Sequence, residues 1–261
     1  MKILAIVSSY RKNGNTTRAV QMITDRLKVQ AAGRGESMEI EILHLAALQL
    51  QFCRGCRVCF DRGEAYCPLK DDLLAIKAKM QAADGMILAS PVYVEDVNGI
   101  MKNWMDRLAH ICHRPEFAGK YVYLLTTVGS GSTGHALRTL NTAMGTWGGY
   151  IVGQASFITG ASMTREAMED GYGRQADQIA QKILRSMAEG RASHPSILSL
   201  LMFNVQQRFH RGMDKDSLDH AYWTARGWTD PRRTYYIPHH AGAIRTTLAR
   251  WGGAVVARFM L

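Results

Sequence analysis

The stretch KILAIVSSYRKNGNTT, residues 2–17, decides the fold. Its first seven residues are an apolar run of the kind that forms a strand buried on both faces, as in parallel sheets. From Thr16 to Ala31 the apolar residues recur at helical spacing. The loop between is polar and turns at Asn13–Gly14. It presents the hydroxyls of Ser8, Ser9, Thr16 and Thr17, the fixed cation of Arg11, and a helix N-terminus beginning near Asn15. Backbone N–H groups, short donors and the helix dipole converging on one point make an anion cradle, and Arg11 adds a charge-assisted contact. The spacing is not that of a nucleotide-hydrolysing P-loop. A cradle with no partner for Mg²⁺ suits a terminal phosphate monoester that is held and never transferred. The competing reading is an ordinary Ser/Thr-rich helix start.

The same alternation continues outward. Strands are expected at 2–8, 38–45, 85–90, 120–128 and 150–158, with helices at 16–31, 71–83, 99–113, 134–146 and 165–188. The pattern predicts an α/β fold: a doubly wound, five-stranded parallel sheet in the order 2-1-3-4-5, flavodoxin-like in topology. Residues 1–188 are expected to form this domain. Residues 189–261 read as a mostly helical, aromatic C-terminal appendage, with helices around ILSLLMFNVQQRFHRGM and AGAIRTTLARWGGAVVARFML.

The chain has 261 residues, 47% of them hydrophobic, and a formal charge of +10. Ten Lys/Arg face four Asp/Glu from Arg191 onward. A solvated basic face is the preferred reading of that excess, ahead of a nucleic-acid site; a membrane-surface helix is a rarer option. The roughly 20 apolar residues of a bilayer span are missing. The N-terminal run reads as a strand and not as a signal peptide, so the expected location is cytoplasmic.

Ligands of such sheets sit outside the carboxyl ends of the strands. After the third strand comes SPVYVEDVNGIMKNWMDR, where Pro91, Val92 and Tyr93 project at that edge. After the fourth comes TTVGSGSTGHA, with Gly129, Gly131 and Gly134 in a G-x-G-x-x-G spacing. No Asp or Glu occurs from His135 to Thr164, so a dinucleotide fingerprint is rejected in favour of a loop that lets a ring approach its backbone.

Together SSYRKNGNTT, SPVYVEDVNGIMKNWMDR and TTVGSGSTG resemble the flavin-contacting segments of the NAD(P)H-dependent FMN reductase group of the flavodoxin-like superfamily, over roughly residues 1–185. The resemblance implies FMN as cofactor and NAD(P)H as co-substrate. It implies that Ser9, Arg11, Asn15, Thr16 and Thr17 hold the phosphate. It sets Pro91, Val92 and Tyr93 on one side of the isoalloxazine, with Thr127 and Gly129 on the other. Lys102, Asp106 and Arg107 match the pattern too, with helix packing an equal reading. A homodimer or tetramer and a small-molecule electron acceptor are implied as partners.

CRGCRVCFDRGEAYCP, residues 53–68, holds Cys53, Cys56, Cys59 and Cys67 in the spacing C-x2-C-x2-C-x7-C after the second strand. It resembles the cysteine motif of the iron–sulfur flavoproteins, where such a run ligates a [4Fe-4S] cluster, and its Cys-Pro ending is that of ferredoxin runs. An empty loop of free thiols weighs equally, and structural zinc is a third reading. Cys112 reads as a buried helix residue, and His110 and His113 as packing residues rather than metal ligands. No side chain is singled out as an acid–base catalyst. The expected function is an FMN-dependent NAD(P)H oxidoreductase. The alternatives are a non-enzymatic FMN/iron–sulfur electron carrier fed by a ferredoxin-like partner, and a redox-sensing nucleic-acid binder.

Overall fold

A computed structural model describes residues 1–260. Its first strand, β1 (Lys2–Val7), runs into α1 (Asn15–Ala32) and β2 (Glu39–His44). The cysteine loop follows, with a short helical turn, α2 (Val58–Asp61), and a 3-10 turn over Glu64–Tyr66, and then α3 (Leu73–Ala82). β3 (Gly85–Tyr93), β4 (Asp96–Val97), α4 (Gly99–Arg107), β5 (Tyr121–Val128), α5 (Gly134–Thr146), β6 (Tyr150–Ile158) and α6 (Arg165–Ala188) complete the sheet layers. Three further helices come after them: α7 (Ile197–Gly212), α8 (Leu218–Ala225) and α9 (Ala243–Met260).

Five strands pair in parallel in the order β2-β1-β3-β5-β6. β1 lies between β2 and β3, and its alternate side chains feed two cores. Leu4 and Ile6 join Trp104, Leu140 and Trp147 beneath α3, α4 and α5. Ile3, Ala5 and Val7 join Ile23, Leu27 and Ile183 under α1 and α6. From Leu4 to Val7 the exposure is zero, which is why the sequence there shows no polar alternation.

A sixth strand departs from the expected five. β4 pairs antiparallel with the end of β3, Val92 opposite Val97 and Tyr93 opposite Asp96. The two-residue connection is Val94–Glu95, with φ of 48° and 65°. Hairpin turns of this kind favour Asn-Gly because both central residues take positive φ; a β-branched Val in that position gives no sequence signal and costs on the order of 1–3 kcal/mol.

The helix expected at 99–113 is shorter. It ends at Arg107 and continues as a 3-10 turn over Ala109–Cys112. Cys112 is therefore only half-buried and off the helix, its Sγ 3.6 Å from Thr146 Oγ1.

The C-terminal helices build a small aromatic core of their own. Phe203, Trp223 and Trp228 are buried, with Tyr235 and Tyr236 against them. Trp228, Tyr235 and Tyr236 of the stretch GWTDPRRTYYIPHH thus serve as core packing for this appendage. α9 lies on α7 with backbones in close approach: a Cβ added to Gly253 would stand 2.7 Å from Asn204 Cβ.

Candidate functional site

The cradle is built by the β1–α1 loop. Ser9 Oγ accepts from the Arg11 amide at 3.2 Å, and the Gly14 amide donates to Arg11 O at 2.9 Å. This folds the loop so tightly that a Cβ on Gly14 would lie 3.0 Å from Arg11 Cβ and 3.1 Å from Arg11 O. The start of α1 has no side-chain cap, since Gly14 holds the N-cap position. Its first-turn N–H groups therefore keep their donor capacity for an anion. Thr17 Oγ1 is buried and has no hydrogen-bond partner among the described residues. An orphaned hydroxyl inside an uncapped helix start is what a phosphate-holding loop leaves when described without its phosphate, so these residues fit FMN.

The other cradle residues are already engaged. Thr16 Oγ1 lies 2.6 Å from Thr127 Oγ1, tying α1 to the end of β5. Asn15 Nδ2 donates to Thr159 Oγ1 at 2.8 Å, and its Oδ1 accepts from the Met163 amide at 3.1 Å. Arg11 Nη1 donates to Ala161 O at 3.2 Å. Asn15 and Arg11 thus hold the loop after β6 against the cradle. Residues 159–163 were not singled out from the sequence; the signal for them was their place at the carboxyl end of the last strand.

At the β3 edge Pro91 and Val92 are half-buried, Tyr93 is exposed and Val94 stands wholly in solvent. Gly129 is exposed on the facing loop, while Thr127 is buried beneath it. Asn98 joins these segments: Nδ2 donates to Ser8 O at 2.7 Å and Oδ1 caps α4 through the Met101 amide at 3.4 Å. One buried side chain therefore ties the end of β1 to the start of α4. Lys102 and Asp106 pair with each other at 2.5 Å on the exposed side of α4.

Cys53, Cys56, Cys59 and Cys67 all line one cavity of about 150 Å³, together with Arg54, Phe60 and Arg107. Positive φ at Gly55, Arg57 and Gly63 curls the loop around it. Burial pushes the Cys59 thiol up, and the neighbouring Cys67, Cys53 and Cys56 add to that rise. Four sulfurs that feel one another around one hollow fit a four-thiolate centre.

The loop is anchored from outside itself. The Cys53 amide donates to Asn103 Oδ1 at 3.2 Å, and Arg107 Nη2 approaches Cys67 Sγ at 3.9 Å. Arg107 also forms a buried two-bond pair with Asp71 at 2.6 and 3.1 Å. Burial alone would raise the Asp71 pKa, but hydrogen bonds from Arg107 and from the Gln51 and Leu73 amides hold it below the usual range. On the other side, Arg114 donates to Cys59 O and lies 3.4 Å from Asp219 of α8. Asp219 also meets His113 Nδ1 at 2.7 Å. Below the loop, Lys77 bridges Glu64 and Glu116 at 2.5 and 2.7 Å. That ammonium takes the cation position between the two carboxylates, with His110 buried beside them. Burial lowers the His110 pKa to about 4, although the Glu64 carboxylate opposes the shift.

Comparison with known proteins agrees with this geometry. The sequence matches the family described as NADPH-dependent FMN reductase over residues 1–164. An iron–sulfur flavoprotein of Methanosarcina thermophila is 31% identical over 188 residues, 70% of this chain and 93% of that protein. Another from Archaeoglobus fulgidus is 29% identical over 197 residues, 75% of this chain and 84% of that one. Among solved structures, the apo NADH:FMN oxidoreductase EmoB superposes with a TM-score of 0.51 at 22% identity, covering 71% of this chain and 89% of its own. RosB, solved with bound 8-demethyl-8-formylriboflavin-5′-phosphate, gives 0.52 at 14% identity over 94% of each chain. These structural likenesses show the flavodoxin-like fold. No helix among the described residues is long and apolar enough to cross a membrane. With its sheet order and these matches, the chain belongs to the NADPH-dependent FMN reductase family of FMN-dependent oxidoreductases, and within it resembles the iron–sulfur flavoproteins.

Proposed function

We propose that the protein passes electrons from a reduced nicotinamide through FMN, and on through a [4Fe-4S] cluster, to a quinone, flavin or other small acceptor. The observation that carries this reading is the convergence of all four loop cysteines on one cavity that shares a wall, α4, with the flavin loops. Asn98 anchors that helix at the cradle end; Asn103 and Arg107 anchor the thiol end. At about 1.5 Å per residue the two ends lie on the order of 14 Å apart.

FMN would supply hydride acceptance and single-electron release; the cluster would supply one-electron transfer. The chain's own residues do the rest. Thr17, Arg11, Ser9 and the first-turn amides hold the phosphate, with Thr16 and Asn15 locking the surrounding loops. Pro91, Val92 and Tyr93 border the ring on one side, and Thr127 and Gly129 on the other. Cys53, Cys56, Cys59 and Cys67 ligate the cluster, and Arg107 offsets their charge. Residues 1–188 act as the FMN-binding unit and 189–261 as an appendage that braces one side of the cysteine loop through Asp219 and Arg114. The protein works as a cytoplasmic homo-oligomer whose contacts cover the exposed Tyr93, Val94 and Ile158 beside the flavin.

The test is the visible spectrum, iron content and NADH and NADPH turnover of protein purified without oxygen. Flavin peaks with a broad bleachable shoulder and about four irons per chain are expected. Cys67→Ser should lose the shoulder and the iron while keeping one FMN. Flavin alone, iron-free after reconstitution, would remove the cluster from the reading. Flavin and iron without nicotinamide oxidation would leave an electron carrier in place of an enzyme.

A further inference from the structure

The outer face of α9 has no partner among the described residues. Ile244, Leu248, Trp251, Val255 and Phe259 are exposed by 80, 54, 71, 38 and 87%. Their spacing of four, three, four and four residues gathers them into about 80° of the helix circumference. Ala249, Gly253 and Ala257 are buried on the opposite side, where Gly253 meets Leu201 and Asn204 of α7. The apolar stripe therefore points directly away from the body of the protein. Arg258 and Arg245 are exposed beside the two edges of the stripe, and Arg250 is exposed farther round the helix, towards the side that carries Ala257. From Pro231 to Leu261 there are five arginines and no Asp or Glu.

Charge decides what covers this face. A second copy laid stripe to stripe would bring arginines against arginines, with no carboxylate from this segment to answer them. An anionic phospholipid surface answers both features: its headgroups pair with the guanidinium groups, and its outer acyl region accepts Trp, Leu, Ile and Phe. We infer that α9 docks the protein flat on an anionic membrane surface, Trp251 lying at the headgroup level.

The molecule carries its own reporter. Of the five tryptophans, Trp104, Trp147, Trp223 and Trp228 are no more than 5% exposed, so only Trp251 can change its surroundings on docking. The full-length protein is mixed with vesicles of pure phosphatidylcholine and with vesicles containing phosphatidylglycerol. Co-sedimentation and a blue shift of tryptophan emission, with protection from acrylamide, are expected with the anionic vesicles only. Arg258→Glu should weaken that binding at least about fivefold, the scale of one basic residue at a charged bilayer. Leu248→Glu with Trp251→Glu should abolish sedimentation, while FMN binding, carried by residues far along the chain, is unchanged. Failure to sediment with anionic vesicles overturns the inference. So does sedimentation that leaves Trp251 quenchable. A lipid-independent blue shift that rises with protein concentration would assign the face to a second copy and overturn it as well.

Discussion

The two loops that follow β1 and β2 leave the same edge of the sheet, yet they are held in different ways. The β1–α1 loop is fixed by what it joins. A strand buried on both faces feeds it, the α1 helix receives it, and hydrogen bonds within residues 9–14 close it. The 53–67 loop contains two short helical turns, keeps two of its cysteines exposed, and takes its shape from side chains of α4 and the 110–116 segment, the latter braced by α8. The first is a local site that long-range contacts only refine. The second exists because distant parts of the chain converge on it. Damage far from the sequence motif should therefore spoil the cysteine site and spare the cradle.

The largest test of that contrast is Arg107→Ala. It strands the Asp71 carboxylate, whose side chain is 1% exposed, and should cost about 3–5 kcal/mol in chemical denaturation. Iron incorporation should fall with it, while the FMN affinity of the folded fraction stays within about twofold of the parent's. Equal losses at both sites would erase the distinction.

Acid should make the same division. His110, beneath the cysteine loop, and His210, stacked on Trp223 of the appendage, are both held by burial at pKa values of about 4. Their folded values lie below the unfolded value of about 6.5, so their contribution is fully present above that pH and lost as pH falls towards 4. Stability should drop by about 1.4 kcal/mol per pH unit for each histidine across that window. Measured by urea melts, a double variant, His110→Gln with His210→Gln, should flatten the slope.

A smaller effect is expected at the cradle. Thr17→Val removes a hydroxyl that has no protein partner, so the FMN-free protein should be as stable as the parent or slightly more so. FMN affinity should fall about tenfold or more, the worth of one hydrogen bond to a charged group. A stability loss without an affinity loss would return the loop to an ordinary helix start. The smallest effect is expected from Val94→Asn with Glu95→Gly, which gives the β3–β4 turn the residues its φ values ask for. A gain of about 1 kcal/mol in unfolding free energy, read from a higher denaturant midpoint, is expected. Its absence would mean that the strain is relieved elsewhere in the flavin loops.

The same contrast explains what could be read from the residues alone. Strands and helices of the sheet domain declare themselves through apolar periodicity, and the cradle through short polar residues between a strand and a helix. The cysteine spacing is equally visible, but its anchors are not. Nothing local marks Arg114 as the partner of Cys59, or Asp71 as the partner of Arg107 thirty-six residues on. Asn15 is at its expected place, but its side chain spends its hydrogen bonds on a loop 144 residues later. The β3–β4 hairpin was hidden because Val and Glu occupy a turn that usually announces itself with Asn and Gly.

The tie from Arg114 to both Cys59 and Asp219 has a consequence for timing. During synthesis the cysteines emerge well before the helix that braces Arg114 beside them, with about 160 residues still to come. At about 5–20 residues per second the ribosome needs on the order of ten seconds to make that stretch. Through that interval Cys59 and Cys67 share the open solvent that Cys53 and Cys56 keep in the finished fold. Once α8 arrives and Asp219 settles on Arg114 and His113, that side of the loop is closed.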